Sequence, residues 1–216
     1  MPTSKTSRAT ARDALVASAI DHLAKYGPAG VQPQEICKEL GISKALVNYH
    51  FGTREGLIAE AMVAAYEQSV EIINSAAQAA APNDPVERLF AWIDADIEWA
   101  RDHQGLAAAL DFPEAAIGRS TLDDDLEERL GEANRRNFEL LTTLVRDARV
   151  ALKNDPSWQP DEEQIALDAG VIGWLALGVS VWVGGSNLPA RQTRVRQFMP
   201  LARDHMRTLL LEMLSR

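Results

Sequence analysis

Residues 33–51 read Pro-Gln-Glu-Ile-Cys-Lys-Glu-Leu-Gly-Ile-Ser-Lys-Ala-Leu-Val-Asn-Tyr-His-Phe, and the chain is best understood outward from this stretch. Pro33 suits the first turn of a short helix whose inner face is Ile36, Cys37 and Leu40, and Gly41 ends it. Only Gly41-Ile42-Ser43 separates it from a second short helix, Lys44 to His50, which Ser43 is placed to cap. Two short helices joined by a three-residue turn containing glycine make a helix-turn-helix, whose second helix fits the major groove of DNA. Val47 and Phe51 lie four apart and turn inward with Ile36, Leu40 and Ile42, which leaves Lys44, Ala45, Asn48 and Tyr49 outward. A lysine donates to guanine, an asparagine pairs with adenine, and alanine or tyrosine contacts a thymine methyl, so these four are candidate base readers. Gln34, Ser43, His50 and Arg54 flank them as further candidate DNA contacts, the last three toward phosphate.

Apolar residues recur three and four apart through most of the chain and period-two alternation is absent, so the expectation is all-helical, with about nine helices. The first runs from about Arg8 to Tyr26 and stops at Gly27-Pro28. A long fourth helix follows the Gly52-Thr53 break and ends before Pro82; a fifth runs from Pro85 to about Gln104, a sixth from Leu106 to Ile117 with a break at Pro113. The seventh spans Leu122 to Leu152, the eighth Asp161 to Val183, and the ninth Gln192 to the end. This divides the chain into a helix-turn-helix domain over 1–52 and a larger helical body over 53–216.

A net charge of −9 argues against nucleic acid only if the charge is evenly spread. Residues 1–55 hold seven cations against five anions, a balance of +2, while the remainder holds fifteen against twenty-six, a balance of −11. A composition of 46% hydrophobic and 25% charged residues is that of a soluble globular protein. The single cysteine, Cys37, forms no internal disulfide, and Met-Pro-Thr-Ser-Lys lacks the apolar run of a signal peptide, which points to the cytoplasm. Ala169 to Ser186 is free of charge for eighteen residues, but Gly170, Gly173 and Gly178 and the acidic approach through Asp161, Glu162, Glu163 and Asp168 favour a buried or interfacial helix over a membrane span. No phosphate loop or dinucleotide fingerprint occurs, Gly178-Val179-Ser180-Val181-Trp182 lacks the closing glycine of a nucleophile elbow, and the four histidines have no metal-ligand spacing. The expectation is therefore no enzyme, no metal and no cofactor, with a DNA-free helical binding or protein-interaction module as the alternative to a DNA-binding regulator.

Ala19-Ile20-Asp21-His22-Leu23-Ala24-Lys25-Tyr26-Gly27, then Glu35 to Ser43, then Asn48-Tyr49-His50-Phe51-Gly52-Thr53-Arg54-Glu55-Gly56-Leu57 together resemble the tetracycline-repressor (TetR) family of bacterial transcriptional regulators. The likeness covers the first quarter of the chain. It implies a three-helix reading domain joined through a long fourth helix to a ligand-binding, dimerising body, and a repressor released by a small molecule. Gln32 stands where the family often has a capping Thr or Ser, Cys37 replaces a common Ala, and Asn48 replaces a frequent Tyr, which suggests a different operator.

Helix 5 carries Leu89, Trp92, Asp96, Trp99 and His103 along one side, which predicts a carboxylate between two indoles. Such a carboxylate needs a partner: either Arg135, Arg136 or a helix cap, or else a cationic or hydrogen-bond-donating aromatic ligand, with Phe112, Phe138 and Trp174 completing the wall. Dimerisation is expected through the two last helices, with Gly178 and Trp182 on one and Phe198, Ala202, Met206, Leu209, Leu210 and Met213 on the other. Two reading heads about 34 Å apart then address a near-palindromic duplex.

Overall fold

The structure is a computed structural model that describes residues 4–111, 123–155, 157–184 and 189–216. Among these are nine helices: α1 (Ser4–Gly30), α2 (Pro33–Leu40), α3 (Ala45–Phe51), α4 (Arg54–Ala79), α5 (Pro85–Asp102), α6 (Gln104–Asp111), α7 (Asp124–Lys153), α8 (Glu162–Gly184) and α9 (Pro189–Ser215). The all-helical expectation is met. Helix α1 is broken at Gly27, whose φ of 68° and ψ of 177° leave the helical region, so the first long run stops where Gly27-Pro28 predicts. The far end of the expected sixth helix, including Phe112 and the break at Pro113, lies outside the described residues.

Caps fix several of the boundaries. Thr53 Oγ1 accepts the Gly56 amide at 3.0 Å, Asp84 Oδ1 accepts Val86 and Glu87, and Asp123 Oδ1 accepts Leu126, so α4, α5 and α7 each start on a side-chain oxygen. Gln32 precedes α2 without a side-chain cap, and Pro33 in the first turn compensates by needing no partner for an amide.

Two main cores form. One gathers Leu15, Ala19 and Leu23 of α1, Ile36 and Val47 of the helix-turn-helix, Leu57, Ile58, Ala61, Met62 and Ala65 of α4, and Leu106 and Leu110 of α6. The other joins Ile73 and Ala77 of α4 to Leu89, Trp92 and Ile93 of α5, Leu141 to Ala148 of α7, Ile165 to Ala176 of α8, and Leu210 and Leu214 of α9. Each fully buried Leu or Ile contributes about 1.5–3 kcal/mol. Helix α8 is long and apolar enough to cross a membrane by length and composition. In the fold it packs on α5, α6 and α7 and buries Asp168 against Arg149 of α7. Helix α9 is tied down by charge as well: Arg203 reaches Asp94 and Glu98 of α5, and Arg207 reaches Glu87 and lies over the Phe90 ring.

The Arg149–Asp168 pair is the most enclosed ion pair among the described residues, and Gln164 Nε2 donates to the second Asp168 oxygen at 2.8 Å. Asp168→Leu would strand the guanidinium, with an expected loss of about 3–5 kcal/mol in urea unfolding. Arg149→Met combined with Asp168→Leu should lose less than Asp168→Leu alone, because no unpaired charge remains.

Candidate nucleic-acid interface

The geometry of the reading unit is set by its glycines. Gly41 adopts φ 66°, ψ 30°, and its amide and that of Ile42 return to the carbonyls of Lys38 and Cys37, which closes α2 and sends the chain into α3. Gly52 has φ 69°, and a Cβ on Gly56 would stand 2.2 Å from the Phe51 carbonyl oxygen. The start of α4 is therefore pressed against the end of α3 more closely than any side chain permits. This is the physical content of the Phe51-Gly52-Thr53-Arg54-Glu55-Gly56 run.

On α3, Val47 is 1% exposed and faces the core with Ile36. Lys44, Ala45 and Asn48 are exposed, Tyr49 is 67% exposed, and Gln34 and Ser43 are exposed with them. The N-cap of α3 is Lys44, which makes no side-chain cap bond; Ser43, expected to cap, stands one residue earlier, where its Oγ accepts the Ala45 amide at 3.2 Å. Cys37 is buried, and burial pushes its thiol up.

Two expected backbone contacts are placed differently. Arg54 donates through Nε to the Val31 carbonyl at 2.9 Å and through one Nη to the carbonyls of Pro28 and Ala29, while the other Nη meets Glu55. Its guanidinium clamps the α1–α2 connection to the start of α4 instead of reaching outward. Because these carbonyls follow the break at Gly27, nothing in the local sequence spacing announces the contact. His50 turns its Nε2 inward, buried and without a partner, beside a recess lined by Phe51, Thr53, Gly56, Glu60, Asp123 and Leu126.

The body site also departs from expectation. Asp96 does not sit between two indoles: Trp92 is 3% exposed inside the second core, while Trp99 lines a recess of about 40 Å³ with Tyr66, Ser69, Asp96, Ala100, Ala107, Leu110 and Ser180. The partner of Asp96 is the Ser180 hydroxyl, which donates at 2.8 Å. Arg135 and Arg136 are engaged elsewhere, with Glu132, Glu139 and Glu71. Burial pushes the Asp96 carboxyl above its usual range, and the serine offsets only part of that. His103 stacks on Trp99 at 4.4 Å, one turn along α5. Phe138 and Trp174 are exposed, Trp174 by 76%, and so form no wall of the recess; Phe112 lies outside the described residues. Ser180 gives no sequence signal of this role, being eighty-four positions away on a helix whose composition advertises only apolarity.

Trp174 is instead exposed along α8 with Leu167, Val171, Leu175 and Trp182, which recur at steps of three, four and seven, and on α9 Phe198, Leu201 and Leu209 are exposed too. Gly178 and Ala202 are exposed as well. Leu210 is 2% exposed in the chain's own core, and Met206 and Met213 pack against that core. Leu210 is therefore removed from the expected interface set, because its register turns it into the second core and not outward.

Residues 15–61 match the model of the bacterial regulatory proteins, tetR family, so the family resemblance of residues 19–57 holds. No curated protein matches the chain. Among solved structures, a protein of unknown function from Rhodococcus sp. RHA1 superposes with a TM-score of 0.67 at 20% identity, over 95% of this chain and 95% of that one. The TetR family transcriptional regulator PfmR from Thermus thermophilus gives 0.60 at 19% identity, over 94% and 99%. AibR, solved with isovaleryl coenzyme A and operator DNA, gives 0.59 at 16% identity, over 93% and 97%. The helix-turn-helix and the all-helical layout of the described residues are those of such regulators.

Because the folded chain holds the Asp96 carboxyl above the unfolded value, both states are protonated in acid and the burial carries no charge penalty there. As pH rises through the folded value, the unfolded chain ionises more readily and the native state loses ground. Asp96→Asn keeps an acceptor for Ser180 and cannot ionise. Thermal unfolding should find this variant more stable than the native chain at about pH 7, with the difference gone by about pH 3.

Proposed function

We propose that the protein is a homodimeric, sequence-specific DNA-binding transcriptional regulator, a repressor released by a small-molecule ligand. The observation that carries this reading is α3: a tetR-type recognition helix whose inner residue Val47 is buried while Lys44, Ala45, Asn48 and Tyr49 stand exposed. In this reading residues 1–52 are the reading head and 53–216 the body. Lys44, Asn48 and Tyr49 read base edges, and Gln34 and Ser43 hold the backbone beside them. Arg54 acts indirectly, by fixing the pose of the helix-turn-helix on α4.

The experiment is selection of bound duplexes from a random pool, followed by affinity measurements on the selected site. Asn48→Ala should cost about 1–3 kcal/mol on that site and relax the preference at one base pair. It should leave binding to unselected DNA unchanged, and affinity for the selected site should fall steeply with salt. A chain that binds no DNA at low salt, or binds without loss as salt rises, speaks for the DNA-free alternative.

The second copy is proposed to cover the exposed face of α8 and α9, with Gly178, Trp182, Phe198, Ala202 and Leu209 in contact and Trp174 and Leu201 added to them. A face this apolar is unusual on a monomer in water. Trp174→Glu should convert a dimer at micromolar concentration into monomers by light scattering, whereas Met213→Glu should act chiefly on stability because Met213 packs inside its own chain.

For the effector, the recess at Asp96 and Trp99 supports a ligand that donates a hydrogen bond or carries positive charge. At about 40 Å³ the recess has to open before it admits more than a small group. That AibR was solved with a coenzyme A thioester and operator DNA is consistent with a regulator of this fold taking both.

A further inference from the structure

Helices α4 and α7 meet along a seam that differs from the rest of the molecule. The far end of α7 is embedded in the second core through Leu141, Leu144, Val145 and Ala148. Its near end touches α4 through a small apolar cluster of its own, Ala59, Val63 and Leu126 with Leu130 partly buried against them. Beyond that patch the contact is polar. Tyr66 donates to Asn134 at 3.1 Å, Arg136 meets Glu71 at 3.3 Å, and Arg129 grips Glu67 with both arms of its fork at 3.0 and 2.8 Å. A helix end held by few methyl groups and several directional bonds has a register set by those bonds, since sliding it exposes little apolar area.

One carboxylate in this seam is buried and shared between two cations. Glu60 is 8% exposed. Its Oε1 accepts Arg129 of α7 at 2.8 Å, and its Oε2 accepts Arg12 of α1 at 2.9 Å. The Arg12 guanidinium also lies over the ring of Phe51, the last residue of α3, at 5.6 Å. A chain of charged contacts thus runs from the body helix α7 through α4 to α1 and the end of the recognition helix. Among the described residues no other side chain accepts from both a reading-head cation and an α7 cation.

We propose that Glu60 is a positioning residue, the joint through which the placement of α7 sets the pose of the reading head on α4. The proposal rests on the regulator reading above and adds the route of its control. With Arg129 seated, Glu60 is held by two cations and keeps Arg12, and with it the α1–α3 corner, in one pose. When the near end of α7 withdraws, Glu60 keeps only Arg12, and the buried carboxylate draws water or turns outward to find it. The head then explores several poses, and ordering one of them on DNA costs affinity.

The test uses the full chain and the duplex selected from the random pool. Glu60→Gln and Arg129→Gln are each expected to weaken binding about tenfold, and the double variant no more than either alone, because both break one coupling. Glu67→Gln keeps an amide oxygen for one arm of Arg129 and leaves the Arg129–Glu60–Arg12 bridge whole, so it should leave affinity within about twofold of the native chain. A second measurement needs no DNA: spin labels on Tyr26→Cys and Phe138→Cys, in a Cys37→Ala background diluted with unlabelled chain, report the distance between α1 and α7. The distribution should broaden in Glu60→Gln and Arg129→Gln and stay narrow in Glu67→Gln. Unchanged or tighter binding, additive losses, an equal effect from Glu67→Gln, or an unbroadened distribution each overturn the joint. If the native chain selects no DNA, the regulator reading falls, while the distance measurement still decides whether Glu60 couples α1 to α7. Arg129 is partly exposed, so Arg129→Gln keeps the proposal testable should Glu60→Gln fail to fold.

Discussion

Helix α4 belongs to two cores at once, and the rest of the structure depends on that. Its first turns, through Leu57, Ile58, Ala61, Met62 and Ala65, complete the packing of α1, α2 and α3, and its later residues Ile73 and Ala77 enter the core of α5, α7, α8 and α9. At 26 residues it is about 39 Å long and continuous. A rotation imposed at one end is therefore delivered to the other without a hinge to absorb it. The contact of Gly56 with the Phe51 carbonyl, the Thr53 cap and the Arg54 clamp make the same point at the head end. Each removes a degree of freedom between the start of α4 and the three helices before it.

The first core runs across residue 52, so a boundary drawn there does not divide the packing. Leu106 and Leu110 of α6 lie in the same cluster as Leu15 and Val47, so the head has no closed interior without part of the body. Its neighbours across that boundary include the Glu60 network, which is charged where the two cores on either side rely on apolar area. The first helix and the near end of α7 thereby meet through one shared carboxylate.

The sequence makes local matters legible and distant ones illegible. Helix periods, the Gly27 break, the Gly41 turn, the inward Val47 and the outward Asn48 all follow from residues within about four positions of each other, where period and propensity act. Arg54 and Asp96 escape such reading because their partners are backbone carbonyls more than twenty positions upstream and a serine more than eighty positions downstream. Trp174 escapes it for a different reason. Helix α8 is apolar on every side, so its sequence carries no phase to say which residues face the core and which stay bare. Leu210 and Leu209 make the same difficulty visible in adjacent residues, one enclosed and the other half exposed.

The shared first core also orders events during synthesis. Residues 1–52 precede the body in translation, yet the cluster that holds Leu15 and Leu23 stays incomplete until Leu106 and Leu110 of α6 have emerged. The contacts between α1 and α6 close a loop of roughly ninety residues, which is slow to form and costly in entropy. A nascent chain thus carries the helix-turn-helix sequence long before that unit has an enclosed interior. The apolar side of α1 therefore stays partly bare through that interval, open to wrong contacts that the finished packing excludes.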